Sequence, residues 1–261
     1  MSLSCLFHVK RVPDEDGNLL RPPVPALIVV QEMVVDRSGS MIALGTAPTE
    51  GVIGFIAEQK KLAQDTGAQV FFTLTSFDDT STTWIDNVPI EQVDPTSKEM
   101  VAMIKPRGST LLVDTMYTRL CVIASKVTAI VKSLPREIRD LKPKVTVIMA
   151  VITDGDDNMS KMWTDTDLHA LITKKRAEGF AVLFLGANQD AINTAKKWGI
   201  AAACAQTFGA TEAKTRACFK SASAAAVRAS SGAPPRFTKR ERQSTAPVRH
   251  PSQYGGGGGE Y

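Results

Sequence analysis

Apolar positions along this chain fall into two rhythms. Short β-branched runs read as strands: "ALIVVQEMVV" (26–35), "AQVFFTLTSFD" (68–78), "KVTVIMAVITDG" (144–155) and "FAVLFLGAN" (180–188). "TTWIDNVPIEQV" (82–93) is a further strand whose proline places it at an edge. Between these runs the apolar spacing becomes helical, in "GVIGFIAEQKKLAQ" (51–64) before Gly67, "STLLVDTMYTRLCVIASKVTAIVKSL" (109–134), and "TDLHALITKKRAEG" (166–179) closed by Gly179. Ser109 or Thr110 is the expected N-cap of the long helix. "QDAINTAKKWG" (189–199) and "TEAKTRACFKSASAAAVRAS" (211–230) are further helices, with a short sixth strand within 202–208. The run 144–155 is apolar almost throughout, as a strand covered on both faces should be. Gln31 and Glu32 break the first strand and leave its register open.

Strands alternating with helices predict an α/β fold, a doubly wound, Rossmann-like, mostly parallel sheet of about six strands with helices on both faces. In such sheets ligands sit beyond the carboxyl ends of the strands, where strand order reverses. "VVDRSGSM" (34–41) follows one strand and "ITDGDDN" (152–158) follows another, so both belong to that edge. Residues 1–23 are polar and Pro-rich and read as an arm, 24–230 as the domain, and 231–261 as a basic, Gly-rich tail, partly disordered.

Composition adds exclusions. The chain has 261 residues, 43% hydrophobic and 22% charged, within the globular range. No apolar run approaches the roughly 18 residues of a membrane span, and the N-terminal stretch lacks a signal-peptide pattern, so an intracellular, cytoplasmic protein is expected. The net charge of +4 is uneven: the stretch after Ser230 carries +3 of it, so nucleic acid is disfavoured as a partner except through that tail. Cys5, Cys121, Cys204 and Cys218 are scattered and read as free thiols. His8, His169 and His250 are too far apart in sequence to suggest a zinc site or a histidine triad.

The candidate chemistry lies at the strand ends. Asp36, Ser38 and Ser40 offer a carboxylate and two hydroxyls at alternate positions, which an extended turn would aim at one point, with Gly39 letting the serines face the same way. Thr110, in the Gly-loosened "PRGST" loop, adds a hydroxyl, and Asp154 ends the central strand with a second carboxylate. Oxygen-only donors suit Mg²⁺ best, with Mn²⁺ or Ca²⁺ as alternatives, rather than zinc. Two formal negative charges are few for a closed protein cage, so the ion would keep waters or accept a ligand from elsewhere.

"DRSGSM", with the later "RGST" and "ITDG", resembles the von Willebrand factor type A domain and its metal-ion-dependent adhesion site, DxSxS…T…D. The resemblance runs from about Pro25 to Ser230. "GFIAEQKK", "LTSFDD", "LPREIRDLKPKVTVIMAVITDGDDN" and "FLGANQDAINTAKKWGI" are similar to small stand-alone intracellular bacterial and phage members. It implies that Ser38, Ser40 and Thr110 bind a divalent cation directly or through water, and that Asp36 and Asp154 hold its waters or bind it. It implies a protein-binding module, not an enzyme, in which a partner's Asp or Glu completes the coordination. An AAA-type ATPase or its assembly is one partner the resemblance implies.

The competing reading is a Mg²⁺-dependent hydrolase or phosphoryl-transfer enzyme using the same site. Against it stand the missing GxxxxGK[ST] and GxSxG motifs and the lack of a Lys or His within the metal motif. Nearby residues have plainer roles. Asp114 reads as a first-turn acid stabilising its helix, Asp156, Asp157 and Asn158 as a solvated loop, and Trp84, Trp163 and Trp198 as packing residues. Asp78 and Asp79 end a strand on the same edge and could line the site. "FTKRERQ" (237–243) could dock back through Phe237.

Overall fold

The computed structural model describes residues 27–94, 98–140, 143–187 and 190–247. The N-terminal arm and the Gly-rich end of the chain lie outside the described residues. Six strands form one sheet: β1 (Leu27–Asp36), β2 (Gln69–Phe77), β3 (Ser81–Pro89), β4 (Lys144–Thr153), β5 (Phe180–Ala187) and β6 (Ala205–Phe208). Their order is β3-β2-β1-β4-β5-β6, all parallel except β3, which runs antiparallel to β2 at one edge. Pro89 closes that edge strand, where its missing N–H costs no ladder bond.

Helix α1 (Ala47–Thr66) ends at Gly67, whose φ of 66° is the left-handed geometry a glycine cap supplies. Helices α2 (Lys98–Met103), α3 (Leu112–Ser133), α4 (Arg136–Asp140), α5 (Asp165–Ala177), α6 (Ala191–Lys197), α7 (Glu212–Ser230) and α8 (Lys239–Thr245) follow. The sequence patterns did not single out α2 or α4, which are too short for a periodic signal.

The core has a layer on each side of the sheet. On one face Val29, Met33 and Val35 of β1 pack with Val52, Phe55 and Ile56 of α1 and Phe219 and Ala222 of α7. On the other, Val34 meets Leu112, Met116 and Leu120 of α3 and Leu168 and Ile172 of α5, while Ile28 and Val30 pack with Ile123 and Ile130. Strand alternation also accounts for the two polar residues that break β1. Gln31 faces α1 and α7, donating to Gln59 Oε1 (2.7 Å), which in turn donates from Nε2 to Ser223 Oγ (3.0 Å). Glu32 faces α3 and pairs with Arg119 while accepting from Thr75 Oγ1. The register is therefore firm: β1 is paired along its length with β2 and, from Leu27 to Val35, with β4.

After α7 the chain turns back over the short edge strand β6. Phe237 is buried in the main core and its N–H donates to Ala203 O (2.8 Å). Arg228 makes a two-pronged contact with Glu241 (2.9 Å each), and Arg242 donates to the carbonyls of Ala202 and Ala203.

Candidate metal site

Sheet order reverses between β1 and β4, and the carboxyl ends of these two neighbours carry Asp36 and Asp154. Backbone bonds draw a third segment to them. Arg37 N donates to Phe77 O (2.8 Å), Arg107 N to Arg37 O (2.7 Å) and Gly39 N to Gly108 O (3.0 Å), laying the loop before α3 along the end of β1. Asp79 Oδ1 accepts from Ser109 N (2.7 Å), so Asp79 holds the backbone of that loop. A Cβ at Gly108, whose φ is 67°, would stand 2.7 Å from the Asp79 carboxylate.

Ser38 and Ser40 do not reach their common point through an extended turn. Ser40 lies in a short 3₁₀ helix, Gly39–Leu44, that starts immediately after Ser38. Their hydroxyls nevertheless meet, 3.1 Å apart, and Ser40 Oγ donates to Asp154 Oδ1 (2.7 Å). The glycine between them is the first residue of that 3₁₀ helix. A Cβ on Gly39 would stand 3.4 Å from Gly108 O, an ordinary contact, and Gly39 N donates to that same carbonyl.

Asp36 is 1% exposed and accepts from Ser38 N at one oxygen and Thr153 Oγ1 at the other, 2.6 Å each. Burial pushes its pKa up to about 6 against these hydrogen bonds, and the Asp154 carboxylate raises it further. Burial likewise raises Asp154, opposed by the Ser40 hydrogen bond. Thr110 completes the group. A Cβ built on Gly155 would stand 3.6 Å from Thr110 Oγ1 and 3.9 Å from Ser40 Oγ, so both hydroxyls flank a cradle that a side chain at 155 would fill.

The five residues proposed from the sequence, Asp36, Ser38, Ser40, Thr110 and Asp154, thus stand on adjoining segments at one edge. Among the described residues no group of three or more His, Cys, Asp and Glu converges. A cation here would rest on two carboxylates and three hydroxyls, and this donor set fits a hard divalent ion.

Several supporting residues have roles the sequence reading missed. Neither Ser109 nor Thr110 caps α3, whose N-cap is Leu111 with no side-chain cap bond. Asp157 does so from across the site: Leu112 N (2.8 Å), Val113 N (3.2 Å) and Ser160 Oγ (2.6 Å) all donate to its Oδ1. Asn158 Oδ1 accepts from Thr110 N (2.9 Å), while Asn158 N and Met159 N donate to Thr110 O. These two residues form a clamp around Thr110, not merely a solvated loop. Asp114 is buried, and its carboxylate accepts from the backbone N–H groups of Lys161, Met162 and Trp163. It therefore orders the loop after β4 in addition to occupying the first turn of α3. The only sequence signal for this was the run of oxygen-bearing residues after "ITD".

Asp78 sits behind the edge rather than at it. It is 2% exposed and pairs with Arg37 (3.0 Å) and Arg107 (2.5 Å). Burial alone would raise its pKa, but the Arg107 and Thr80 hydrogen bonds and the Arg37 charge hold it below the usual carboxylate range. Trp198 is buried and Trp163 stacks on Tyr117 at 3.8 Å, whereas Trp84 is 40% exposed beneath the Arg37 guanidinium.

A parallel sheet of this order with an antiparallel edge strand, helices on both faces and this motif at the β1/β4 switch point has the fold of the von Willebrand factor type A domain. No family model and no curated protein sequence matches the chain. Solved structures do. Proximal thread matrix protein 1 from the mussel byssus is 14% identical with a TM-score of 0.50, over 78% of this chain and 47% of that one. The pilus adhesin SpaC from Lactobacillus rhamnosus GG, in its open conformation, is 11% identical with a TM-score of 0.54, over 77% and 30%. The vWF domain of the type V pili tip protein Mfa5 from Porphyromonas gingivalis is 13% identical with a TM-score of 0.49, over 75% and 94%. The chain spans less than half the length of the first two, and at these identities the likeness is one of fold. Among the described residues no helix is long and apolar enough to cross a membrane.

Proposed function

We propose that the chain is a cation-dependent protein-binding module. Asp36, Ser38, Ser40, Thr110 and Asp154 hold a divalent ion, Mg²⁺ in the first instance, and a carboxylate from a partner protein completes its coordination. The observation that carries this reading is the hydroxyl–carboxylate chain from Ser38 through Ser40 to Asp154, beside a buried Asp36 that no basic side chain among the described residues neutralises. Both Asp36 oxygens are engaged by neutral donors, which suits Asp36 to holding the ion's waters. Ser38, Ser40 and Thr110 carry no charge, so the ion stays electrophilic and an incoming carboxylate gains a charge-assisted bond. A binding role is also in keeping with the pilus adhesin that shares the fold.

The motif offers an enzyme no Lys or His as a base. Asp36 and Asp154 hydrogen-bond to hydroxyls and an amide, and no Lys or His joins them among the described residues. The protein ligand is an acidic side chain, and an AAA-type ATPase assembly is one candidate source. Affinity capture from the native host in Mg²⁺, set against EDTA and against Asp36→Ala, tests the reading. Partners retained only by wild type in Mg²⁺ support it. An identical set in all three arms contradicts it.

A further inference from the structure

Beside the candidate metal site lies a cavity of about 540 Å³, entered between the end of β4 and the first turns of α3 and α5. Gly155, whose position adjoins the Thr110 and Ser40 hydroxyls, forms part of its wall. The cavity therefore adjoins the candidate metal site through Gly155, although none of the five candidate ligands lines it. Its charged groups are unevenly satisfied. Asp165 is paired with Lys197 (2.6 Å) and accepts from Trp198 Nε1 (2.6 Å). Asp157 is consumed in capping α3. Asp156 is exposed, and among the described residues no hydrogen bond or ion pair engages it. With Lys197 cancelling Asp165, the cavity keeps an excess of negative charge. Trp163 adds an aromatic wall, braced by its stack on Tyr117.

We infer that this cavity reads a second residue of the partner: a basic side chain, Arg before Lys, placed next to the acid that meets the cation. This rests on the binding role proposed above and specifies its ligand as an acid–base pair rather than a lone acid. Asp156 supplies the counter-charge. Trp163 supplies a flat face on which a guanidinium packs through cation–π attraction. A neutral apolar side chain in the same place would leave the Asp156 carboxylate desolvated and unpaired, which disfavours it.

The test uses three flexible Gly/Ser peptides with one Glu: no other charge, an Arg two residues away, or citrulline in place of that Arg. Binding is measured by fluorescence anisotropy in Mn²⁺ at low salt against wild type, Asp156→Asn and Asp36→Ala. The account expects the Arg peptide to bind wild type roughly fivefold more tightly than the citrulline peptide. That advantage should vanish in Asp156→Asn, which still binds the Glu-only peptide in a metal-dependent way. A Glu-only peptide that binds wild type, with no gain from Arg, overturns the inference and leaves the binding role standing. Failure of all three peptides overturns both. A metal-free arm separates the two further: N-acetyl-argininamide at millimolar concentration should shift the Trp163 indole resonance (assigned with Trp163→Phe) in wild type and not in Asp156→Asn. No shift in wild type counts against the cavity whatever the metal site does.

Discussion

Two buried carboxylates on the same strand, Glu32 and Asp36, are held by very different partners. Glu32 and Asp36 stand four residues apart on β1, each 1% exposed. Glu32 has a cation of its own: the Arg119 guanidinium from α3 grips both its oxygens, and Thr75 adds a hydroxyl. Its negative charge is answered inside the fold. Among the described residues Asp36 has neutral donors alone, Thr153 and the Ser38 amide and hydroxyl, and a second carboxylate close enough to push its pKa upward. The first arrangement is complete. The second has no basic partner among the described residues, and it stands at the sheet edge where we propose that a cation binds.

The comparison breaks most severely at Arg119. Arg119→Met strands Glu32 as an unpaired buried charge and is expected to cost about 3–5 kcal/mol in urea unfolding, with no rescue by Mg²⁺. A loss under about 1 kcal/mol would mean that Glu32 is satisfied some other way. Asp36→Asn should do the opposite. Keeping Asp36 ionised costs the metal-free protein about 3 kcal/mol at neutral pH, given a pKa near 6 against an ordinary 3.8. The variant should therefore melt at the same temperature as wild type or higher in EDTA, and lose any upward shift in Mg²⁺. Destabilisation in EDTA as large as that of Arg119→Met would place Asp36 among the structural acids.

A smaller effect is expected at the clamp. Asp157→Ala removes the cap of α3 and should cost about 1–2 kcal/mol while weakening metal binding through Thr110, read by urea unfolding and by metal titration. The smallest effect is in pH. An acid whose folded pKa is raised makes the metal-free protein less stable as pH climbs from about 4 to about 6. A cation competes with that proton, so the thermal shift given by Mg²⁺ should grow across the same interval and level off above it. A shift independent of pH between 5 and 8 would detach the ion from Asp36.

The fold was largely legible because its strands are apolar runs bounded by turns and its helices have a clear periodicity. Gln31 and Glu32 obscured β1, since their partners Gln59, Ser223 and Arg119 lie 28 or more residues away and no local pattern announces them. The five candidate ligands could be read because the motif fixes their types and spacing. Their supports could not. Asp157, Asn158 and Asp114 act through backbone N–H groups 44 to 49 residues away, a geometry that exists only once the loops are packed. The extended turn expected after Asp36 was misread, because a 3₁₀ helix, Gly39–Leu44, carries Ser40 there.

The central claim, that Asp36 and its neighbours hold a divalent cation, is tested most directly by titrating Mn²⁺ into the purified protein and following free Mn²⁺ by electron paramagnetic resonance. The account predicts saturable loss of the free-ion signal at one ion per chain in wild type, and none in Asp36→Ala. Free signal undiminished to millimolar Mn²⁺ in wild type, or equal binding by the variant, would contradict it.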